Sequence, residues 1–192
     1  MTRTNLIVVE DFYTNPHEVR EFALKQTFIA TGYAPGYRTI QFFNEEIQRQ
    51  LQQILLPHAG NIISHSKACG SFNYTTAACM KNWRGPLVHT DVSIGWAGVL
   101  YLSPDAPINS GTAIYKNKRL NESVFDRKDY STVGADWDDW TKWELQDMVG
   151  NKFNRLVLYR GNNAHAPFQQ NHFGYDIHTG RMTQVFFVTT EF

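Results

Sequence analysis

The stretch Gly85-Pro86-Leu87-Val88-His89-Thr90-Asp91 decides the fold, because it places a histidine and an aspartate two residues apart. A second histidine, His165, and then Arg181 follow much later in the chain. A His-x-Asp pair with a remote histidine is the ligand set of a facial site of two histidines and one carboxylate. Such a site leaves coordination positions open and suits non-haem Fe(II). The pattern predicts a metal centre built from His89, Asp91 and His165.

His89 and Asp91 lie on the same face of a predicted strand over residues 87–92, because side chains two apart on a strand point the same way. Both can therefore reach a single ion. Exposed polar residues also alternate along ordinary half-buried strands, so a surface strand that carries the same pair is the alternative interpretation.

His165 opens a predicted strand at 164–169, after the apolar strand 155–159 and a turn. This position suits a third ligand, and a hairpin histidine bonded to its own turn is the alternative. His172 and His178 lie in the glycine-containing hairpin that follows, and we expect both to be exposed as loop residues. If that hairpin does not loop out, His172 replaces His165 as the ligand.

Length and charge restrict the class of protein. The chain has 192 residues, enough to bury a core as one domain. Its 18 basic and 18 acidic residues cancel, which favours a small molecule or a protein as partner over nucleic acid or a membrane. Two cysteines, Cys69 and Cys79, cannot form a disulfide framework, and the apolar run at 6–9 is too short for an export signal. No segment approaches membrane-spanning length, so we expect a cytoplasmic protein.

Residues 1–60 are predicted to support the core with helices. A strand at 5–10 precedes a helix at 15–28 that has proline at its first position and its charged side chains in water. Residues 30–40 are predicted to form a loop. A second helix at 44–56 carries an apolar stripe and ends before Pro57.

Residues 61–192 are predicted to form a β-barrel core, because short β-branched and aromatic runs alternate there with Gly, Pro, Asn and Ser. The predicted strands are 72–80, 87–92, 97–102, 112–116, 155–159, 164–169 and 181–190. Residues 122–151 are predicted to be an insertion carrying a helix, with Trp137, Trp140 and Trp143 three residues apart. The insertion is a candidate lid, and a helix that packs its apolar stripe on the barrel is the alternative.

The second half of the chain resembles the Fe(II)/2-oxoglutarate-dependent dioxygenases, and within them the prolyl-4-hydroxylase-like group. The matching residues, in family order, are His89-Thr90-Asp91, Val99 to Ser103, Ser110-Gly111-Thr112, Asn154 to Gly161, His165, and Arg181 with the strand that it begins. The resemblance covers roughly residues 87–187. It implies a single dioxygenase domain over 1–192, mainly β with flanking helices. Its core would be a double-stranded β-helix, the jelly roll also found in cupins, with the N-terminal helices packed on it.

The resemblance also implies roles for individual residues. His89, Asp91 and His165 would be the iron ligands. Arg181 would bind the C5 carboxylate of 2-oxoglutarate, for which its planar and permanently charged fork is suited. Tyr101 corresponds to a family tyrosine that donates its hydroxyl to the same carboxylate, and an ordinary half-buried strand tyrosine is the alternative.

The implied activity is that of a 2-oxoglutarate-dependent non-haem iron dioxygenase that hydroxylates an unactivated C–H bond. Its cofactors would be Fe(II), 2-oxoglutarate and O2, with ascorbate as a candidate reductant, and it would release succinate and CO2. The substrate would be an amino acid, a peptide or another small molecule, and the sequence does not define the oligomeric state. A cupin-like metal-binding or sensing barrel without 2-oxoglutarate turnover is the alternative. Arg181 argues against it, because such a barrel needs no buried cation there.

Overall fold

A computed structural model of the protein describes residues 4–32, 34–81, 88–91, 95–168 and 172–192. In chain order the strands are β1 (Leu6–Val9), β2 (Ile29–Ala30), β3 (Tyr37–Arg38), β4 (Ile62–His65), β5 (Phe72–Thr75), β6 (Trp96–Tyr101), β7 (Thr112–Asn117), β8 (Trp143–Val149), β9 (Leu156–Arg160), β10 (His165–Pro167) and β11 (Arg181–Thr190). The helices are α1 (Pro16–Leu24), α2 (Glu45–Ala59), α3 (Ala77–Lys81) and α4 (Tyr130–Val133). Short 3-10 turns lie at Ile108–Ser110, Arg127–Asp129, Gly134–Asp138 and Trp140–Lys142. Within the described ranges, every helix is too short or too polar to cross a bilayer.

The larger sheet is antiparallel and has the strand order β1-β9-β6-β11-β5-β3-β2, with β4 pairing with the far end of β11. Strand β11 lies at its centre. Arg181 to Gln184 pair with β5 on one side, and Thr183 to Val188 pair with β6 on the other. Strands that are neighbours in this sheet are mostly distant in sequence, so long connections rather than tight hairpins join them.

The smaller sheet has β7 between β10 and β8, and His89 adds a bridge to His165 at the free edge of β10. The two sheets face each other, because Tyr101 and Val157 of the larger sheet pack in one cluster with Ile114 of the smaller. Two facing antiparallel sheets wound alternately from one chain make a double-stranded β-helix. The predicted fold class is therefore confirmed.

Alternation along the strands gives the larger sheet two different faces. On the outer face, Leu100, Leu158 and Phe186 pack with Leu51 and Leu55 of α2 in the main apolar cluster. All five side chains are fully buried. At about 25 cal/mol per Å² of apolar surface removed from water, this layer is a major source of stability. The inner face points between the sheets and is left for the site.

Both predicted N-terminal helices form, with different ends. α1 ends at Leu24 rather than at residue 28. α2 begins after Asn44, whose side chain accepts a hydrogen bond from the backbone N–H of Ile47 at 2.9 Å, and it continues through Pro57 to Ala59. A proline in the last turn removes one helical hydrogen bond, and Gln53, which would have accepted it, is exposed to water. The helix therefore runs past its proline.

Arg20 contradicts the expectation that the charged residues of the first helix face water, since only 9% of it is exposed. Its guanidinium donates to the carbonyl oxygen of Leu102 at 2.8 Å and to that of His178 at 2.6 Å. One carbonyl lies just after β6 and the other in the turn before β11. These two backbone acceptors satisfy the buried guanidinium, and the bonds link α1 to the end of β6 and to the turn before β11.

Three predictions around the future site need correction. Residues 30–40 are not a plain loop, because β2 and β3 form a hairpin that pairs with β5. The strand predicted at 72–80 ends at Thr75, and α3 follows it. Of the strand predicted at 87–92, residues 88–91 are described, and they form a bridge at His89 rather than a strand. Short paired segments of this kind show no periodicity in the sequence, so pairing alone reveals them.

Residues 122–151 do not form the predicted helix on an insertion. Their last part is β8, which pairs with β7 and belongs to the smaller sheet. Trp137 and Trp143 are buried with ring centres 5.1 Å apart, and both contact Phe125. Trp137 and Trp143 therefore pack in the core, as the packing alternative expected of the tryptophans, but from a 3-10 turn and a strand rather than from a helix. Cross-strand pairing thus overrides the helical spacing of the sequence.

Candidate metal centre and cosubstrate cavity

His89 and His165 are brought together by the edge of the smaller sheet. Their backbones exchange both hydrogen bonds, with N···O distances of 3.0 and 2.8 Å. Directly opposed residues of an antiparallel pair leave the sheet on the same face, and the two imidazole rings lie with their centres 4.3 Å apart. Strand pairing therefore joins two histidines that are distant in sequence.

Asp91 completes a group of three converging side chains. It follows His89 by two residues, and its backbone N–H donates to the carbonyl oxygen of Gly161 at 2.6 Å. Its Oδ2 lies 3.5 Å from Nε2 of His165. One candidate ligand atom from each of His89, Asp91 and His165 lies within 4.8 Å of the other two. The structure thus places the three residues predicted from the sequence around one point.

The hydrogen bond of one imidazole and the burial of the other suit a cation. His165 is buried, and its Nδ1 lies 2.9 Å from the carbonyl oxygen of Asn163. A carbonyl oxygen can only accept, so Nδ1 carries a hydrogen, and Nε2 is the nitrogen directed toward Asp91. Burial, with a smaller contribution from nearby His165 and against the opposing effect of Asp91, lowers the pKa of His89 to about 4. Two imidazole nitrogens and one carboxylate oxygen are a donor set that fits Fe(II).

These donors open into a cavity of about 300 Å³ between the sheets. Val99, Val185 and Phe187 are among its apolar lining residues. Apart from the metal-site histidines, the uncharged and basic polar residues described in its lining are Thr31, Tyr37, Arg38, Asn73, Thr75, Thr112, Tyr159, His172, Arg181 and Thr183. Among the described lining residues, Asp91 is the one carboxylate. The cavity is therefore basic on balance before any ligand binds.

Arg181 is a buried cation in this lining, with 8% of its surface exposed. Its Nε donates to the carbonyl oxygen of Ser110 at 3.0 Å, and its guanidinium carbon lies 5.5 Å from the centre of the Tyr101 ring. No carboxylate in the described ranges lies within ion-pair distance of it. Burial accordingly lowers the pKa of the guanidinium. A buried charge without a counter-ion costs several kcal/mol, so this position is suited to an anion that enters the cavity.

Tyr101 lies beside Arg181, and its hydroxyl is already engaged by a side chain of the fold. The side chain is fully buried, and its hydroxyl donates to Oγ1 of Thr112 at 2.7 Å. Thr112 lines the cavity and Tyr101 does not. A direct contact between Tyr101 and a cosubstrate carboxylate therefore stays a prediction, and Thr112 is one of the residues that bring a hydroxyl to the cavity lining.

Sequence reasoning missed several lining residues, among them Thr183 and Tyr159. Thr183 stands two residues after Arg181 on the same face of β11, and this alternation is a signal that could have found it. Tyr159 lies with its ring centre 4.5 Å from that of His165. Burial raises the pKa of the Tyr159 hydroxyl well above its ordinary value, and the charge of Asp91 adds to the effect. Tyr159 is therefore a neutral donor at the metal end of the cavity.

His172 is half-buried rather than exposed as predicted. It lines the cavity, and its Nδ1 lies 2.8 Å from Oγ1 of Thr75, because the turn before β11 folds back onto β5. Burial, together with the charge of Arg181, lowers the pKa of His172 to about 3. His178 is exposed, as expected. The group of converging donors contains His165 and not His172.

Three solved structures are similar to this chain in fold. HygX from Streptomyces hygroscopicus, solved with nickel and 2-oxoglutarate bound, is similar over 98% of this chain and 84% of its own, with a TM-score of 0.62 and 10% identity. The non-heme alpha ketoglutarate dependent carbocyclase SnoK from nogalamycin biosynthesis is similar over 97% of this chain and 80% of its own, with a TM-score of 0.58 and 13% identity. A prolyl hydroxylase from Trichoplax adhaerens is similar over 96% of this chain and 83% of its own, with a TM-score of 0.52 and 13% identity.

The chain therefore has the double-stranded β-helix fold of the Fe(II)/2-oxoglutarate-dependent oxygenases, as the resemblance implied. At these low identities the likeness establishes the fold alone. The chain belongs to the family of unknown function DUF6445, whose profile matches residues 1–188. A search of curated proteins gives no match.

Proposed function

We propose that this protein is an Fe(II)- and 2-oxoglutarate-dependent oxygenase that hydroxylates an unactivated C–H bond. The proposal is carried by the buried guanidinium of Arg181 in the same cavity as two histidines and an aspartate. A barrel that only binds or senses a metal needs no such cation. A dicarboxylate that reaches from a metal to Arg181 needs both ends of the cavity, so we favour the oxygenase over the cupin-like alternative.

In this proposal His89, Asp91 and His165 hold the metal and leave its cavity side open. Arg181 binds the C5 carboxylate of 2-oxoglutarate through its terminal nitrogens, since Nε is already engaged by the carbonyl oxygen of Ser110. Thr183, on the same strand face, offers a hydroxyl beside it. Tyr101 positions the binding group indirectly, through its ring against Arg181 and its hydrogen bond to the cavity threonine of β7.

When bound, Fe(II) with 2-oxoglutarate and O2 supplies the oxidising chemistry, in which succinate and CO2 are released and one oxygen atom is transferred to the substrate. The chain supplies position and exclusion of water. Val99, Val185 and Phe187 give the cavity an apolar wall, which strengthens the charge interactions of Arg181. We would include ascorbate in assays as a reductant.

The substrate we propose is a small molecule or a short peptide segment. HygX has been solved with hygromycin B bound, and the T. adhaerens prolyl hydroxylase with a peptide fragment. A cavity of about 300 Å³ lies at the small end of ligand sites, so it admits the cosubstrate together with the reacting end of a substrate rather than a bulky whole molecule.

The test is an anaerobic titration. Fe(II) and 2-oxoglutarate added to the wild-type protein should give a weak visible charge-transfer band, and the substitution His89→Ala should abolish it. Arg49→Gln, which removes an exposed charge on α2, is the matched control and should leave the band unchanged. Circular dichroism of each variant establishes that it is folded.

Turnover is read separately. Admitting O2 should release succinate, and mass spectrometry of a panel of metabolites and peptides should find the gain of one oxygen atom in the substrate. A folded wild-type protein that binds Fe(II) but gives no band at saturating 2-oxoglutarate would contradict the proposal and favour the metal-binding barrel.

A further inference from the structure

A second arginine, Arg38, lines the cavity and has no part in the proposed function. It lies in β3, directly opposite Asn73 of β5, and its Nε donates to the side-chain oxygen of Asn73 at 2.8 Å. Asn73 is in turn opposite Thr183 of β11. These three residues form one row across the inner face of the larger sheet. Arg38 therefore stands two strands from the strand of Arg181, about 10 Å across the sheet.

The β2–β3 hairpin that carries Arg38 is fixed against β5. Tyr37 stacks on Tyr74 with ring centres 4.9 Å apart and planes at 13°. Gly36 has a φ of 86°, and a side chain at that position would overlap the carbonyl oxygen of Tyr74. Only glycine lets the two backbones approach this closely. Arg38 is thus presented to the cavity from a rigid support.

Charge balance sets Arg38 apart from the rest of the site. In the loaded form of the proposed function, Fe(II), Asp91, Arg181 and the dianionic cosubstrate cancel. Arg38 then adds a net positive charge to the lining, whose one described carboxylate is already committed to the metal. In a half-buried cavity an ion attracts its opposite more strongly than in bulk water, because the effective dielectric constant is lower. The loaded cavity is therefore complementary to a further anion.

A second, independent observation lies on the same hairpin. Thr31 lines the cavity, and its hydroxyl oxygen is buried with no hydrogen-bond partner in the described part of the chain. Buried polar atoms nearly always have a partner, which can be a bound ligand. A ligand held beside Arg38 would supply one after a rotation of the threonine side chain.

We propose that Arg38 binds a carboxylate of the primary substrate, so that this enzyme acts on a small acidic molecule. The inference rests on the proposed function and names its substrate class. Asn73 fixes the plane of the guanidinium, which suits a planar, two-oxygen partner. The two arginines divide the recognition of acids: Arg181 takes the cosubstrate and Arg38 takes the substrate.

The experiment uses the anaerobic Fe(II)–2-oxoglutarate complex and a panel of N-acetyl amino acids, each paired with its primary amide. Calorimetry and thermal shift measure binding, and 2-oxoglutarate-dependent succinate release measures turnover. We expect the acids to bind and the amides to bind at least tenfold more weakly. Arg38→Gln should weaken the binding of the acids by about tenfold to a hundredfold, which is the range for a hydrogen bond to a charged group. Arg38→Lys should recover part of that loss, because it keeps the charge but not the fork.

Two further variants sharpen the result. Thr31→Val should weaken the binding of the same acids by about threefold to tenfold. Arg49→Gln removes a charge of the same sign from the far side of the molecule, and it should change the affinity for neither the acids nor the amides. The affinity for 2-oxoglutarate is measured for every variant, and the loss of acid binding in Arg38→Gln should exceed any change in that affinity.

Acids that bind no more tightly than their amides would overturn the assignment. A change in Arg38→Gln that is confined to 2-oxoglutarate would overturn it too, since Arg38 would then belong to the cosubstrate site. Failure of the proposed function is separate, because it appears as a missing charge-transfer band in the wild-type protein. If that band is missing, calorimetry on the wild-type protein still measures the difference in affinity between the acids and their amides.

Discussion

The hydroxyl of Tyr130 donates to the backbone carbonyl oxygen of Thr90 at 3.0 Å, and the Thr90 hydroxyl lies 2.9 Å from the same oxygen of Tyr130. Thr90 stands between two of the proposed metal ligands. The ring of Tyr130 is itself stacked on Trp137, with ring centres 5.0 Å apart. The short helix α4 therefore braces the backbone of the metal-binding segment from behind.

Replacing Tyr130 by phenylalanine should loosen this brace without emptying the core. Partners of this kind that orient ligands typically contribute tenfold to a hundredfold to metal affinity, and we expect about tenfold here. Anaerobic Fe(II) titration measures it. Tyr175→Phe is the control, because Tyr175 is 81% exposed. Equal metal affinity in the Tyr130 and Tyr175 variants would show that the brace has no effect on the ligands.

Arg181→Met should separate stability from binding. The guanidinium is buried without a carboxylate in the described ranges, and replacing such a charge by an apolar side chain is often neutral or stabilising. We expect a free energy of unfolding for the ligand-free variant that equals or exceeds that of the wild type, while 2-oxoglutarate affinity falls by a hundredfold or more. Urea titration and calorimetry give the two quantities. A variant destabilised by several kcal/mol would instead make Arg181 a structural residue.

Trp143→Ala distinguishes a core residue from a lid residue. Trp143 is 5% exposed, and its indole N–H donates to the carbonyl oxygen of Asp136 at 2.7 Å. Loss of the ring from this position should cost about 3–5 kcal/mol of stability. Urea titration measures that loss. If 122–151 acted as a lid, the substitution would change the KM for 2-oxoglutarate and leave the unfolding midpoint in place.

His172 should make the fold sensitive to mild acid. In the unfolded chain it takes up a proton near pH 6.5, whereas in the fold its pKa is about 3 because of burial and the charge of Arg181. Between these values the unfolded chain binds a proton that the folded chain does not, so stability falls as pH falls below about 6.5 and is unaffected above it. From pH 7 to pH 5 this residue should contribute a loss of roughly 2 kcal/mol.

The measurement compares unfolding free energies at the two pH values in the wild type and in His172→Gln. The glutamine variant should lack this part of the pH dependence. His178→Gln, an exposed histidine of the same turn, serves as control and should behave as the wild type. The same acid loss in all three proteins would assign it to other groups.

Long elements with a clear period were predictable. The bounds of β11 match the predicted strand at 181–190, because a ten-residue run rich in β-branched and aromatic side chains leaves little ambiguity. α2 was predictable from its stripe of Leu51 and Leu55, although its C-terminal end was not. The ordered set from His89 to Arg181 also predicted which distant residues the fold brings into one cavity, because strand order and side-chain alternation together fix what faces inward.

The parts that could not be predicted depend on tertiary pairing. Arg38 lies in a two-residue strand, which carries no period, and its neighbours Pro35 and Gly36 indicated only a loop. Arg20 is a helix residue of a type that is usually solvated, and only the position of two backbone carbonyls explains its burial. His172 is half-buried because its turn packs on β5, a contact that no local pattern announces.

Strand β1 covers the outer side of β9 along its whole length, with Leu6 opposite Tyr159 and Val9 opposite Leu156. Leu6 also packs into the cluster that contains Tyr159. A shortened version of the protein that began after residue 10 would expose the unpaired backbone N–H and C=O groups of β9, and an exposed strand edge favours self-association. It would also remove the packing of Leu6 against the cluster of Tyr159, next to the candidate metal centre. Recombinant versions should therefore carry any tag ahead of residue 5 and keep that strand intact.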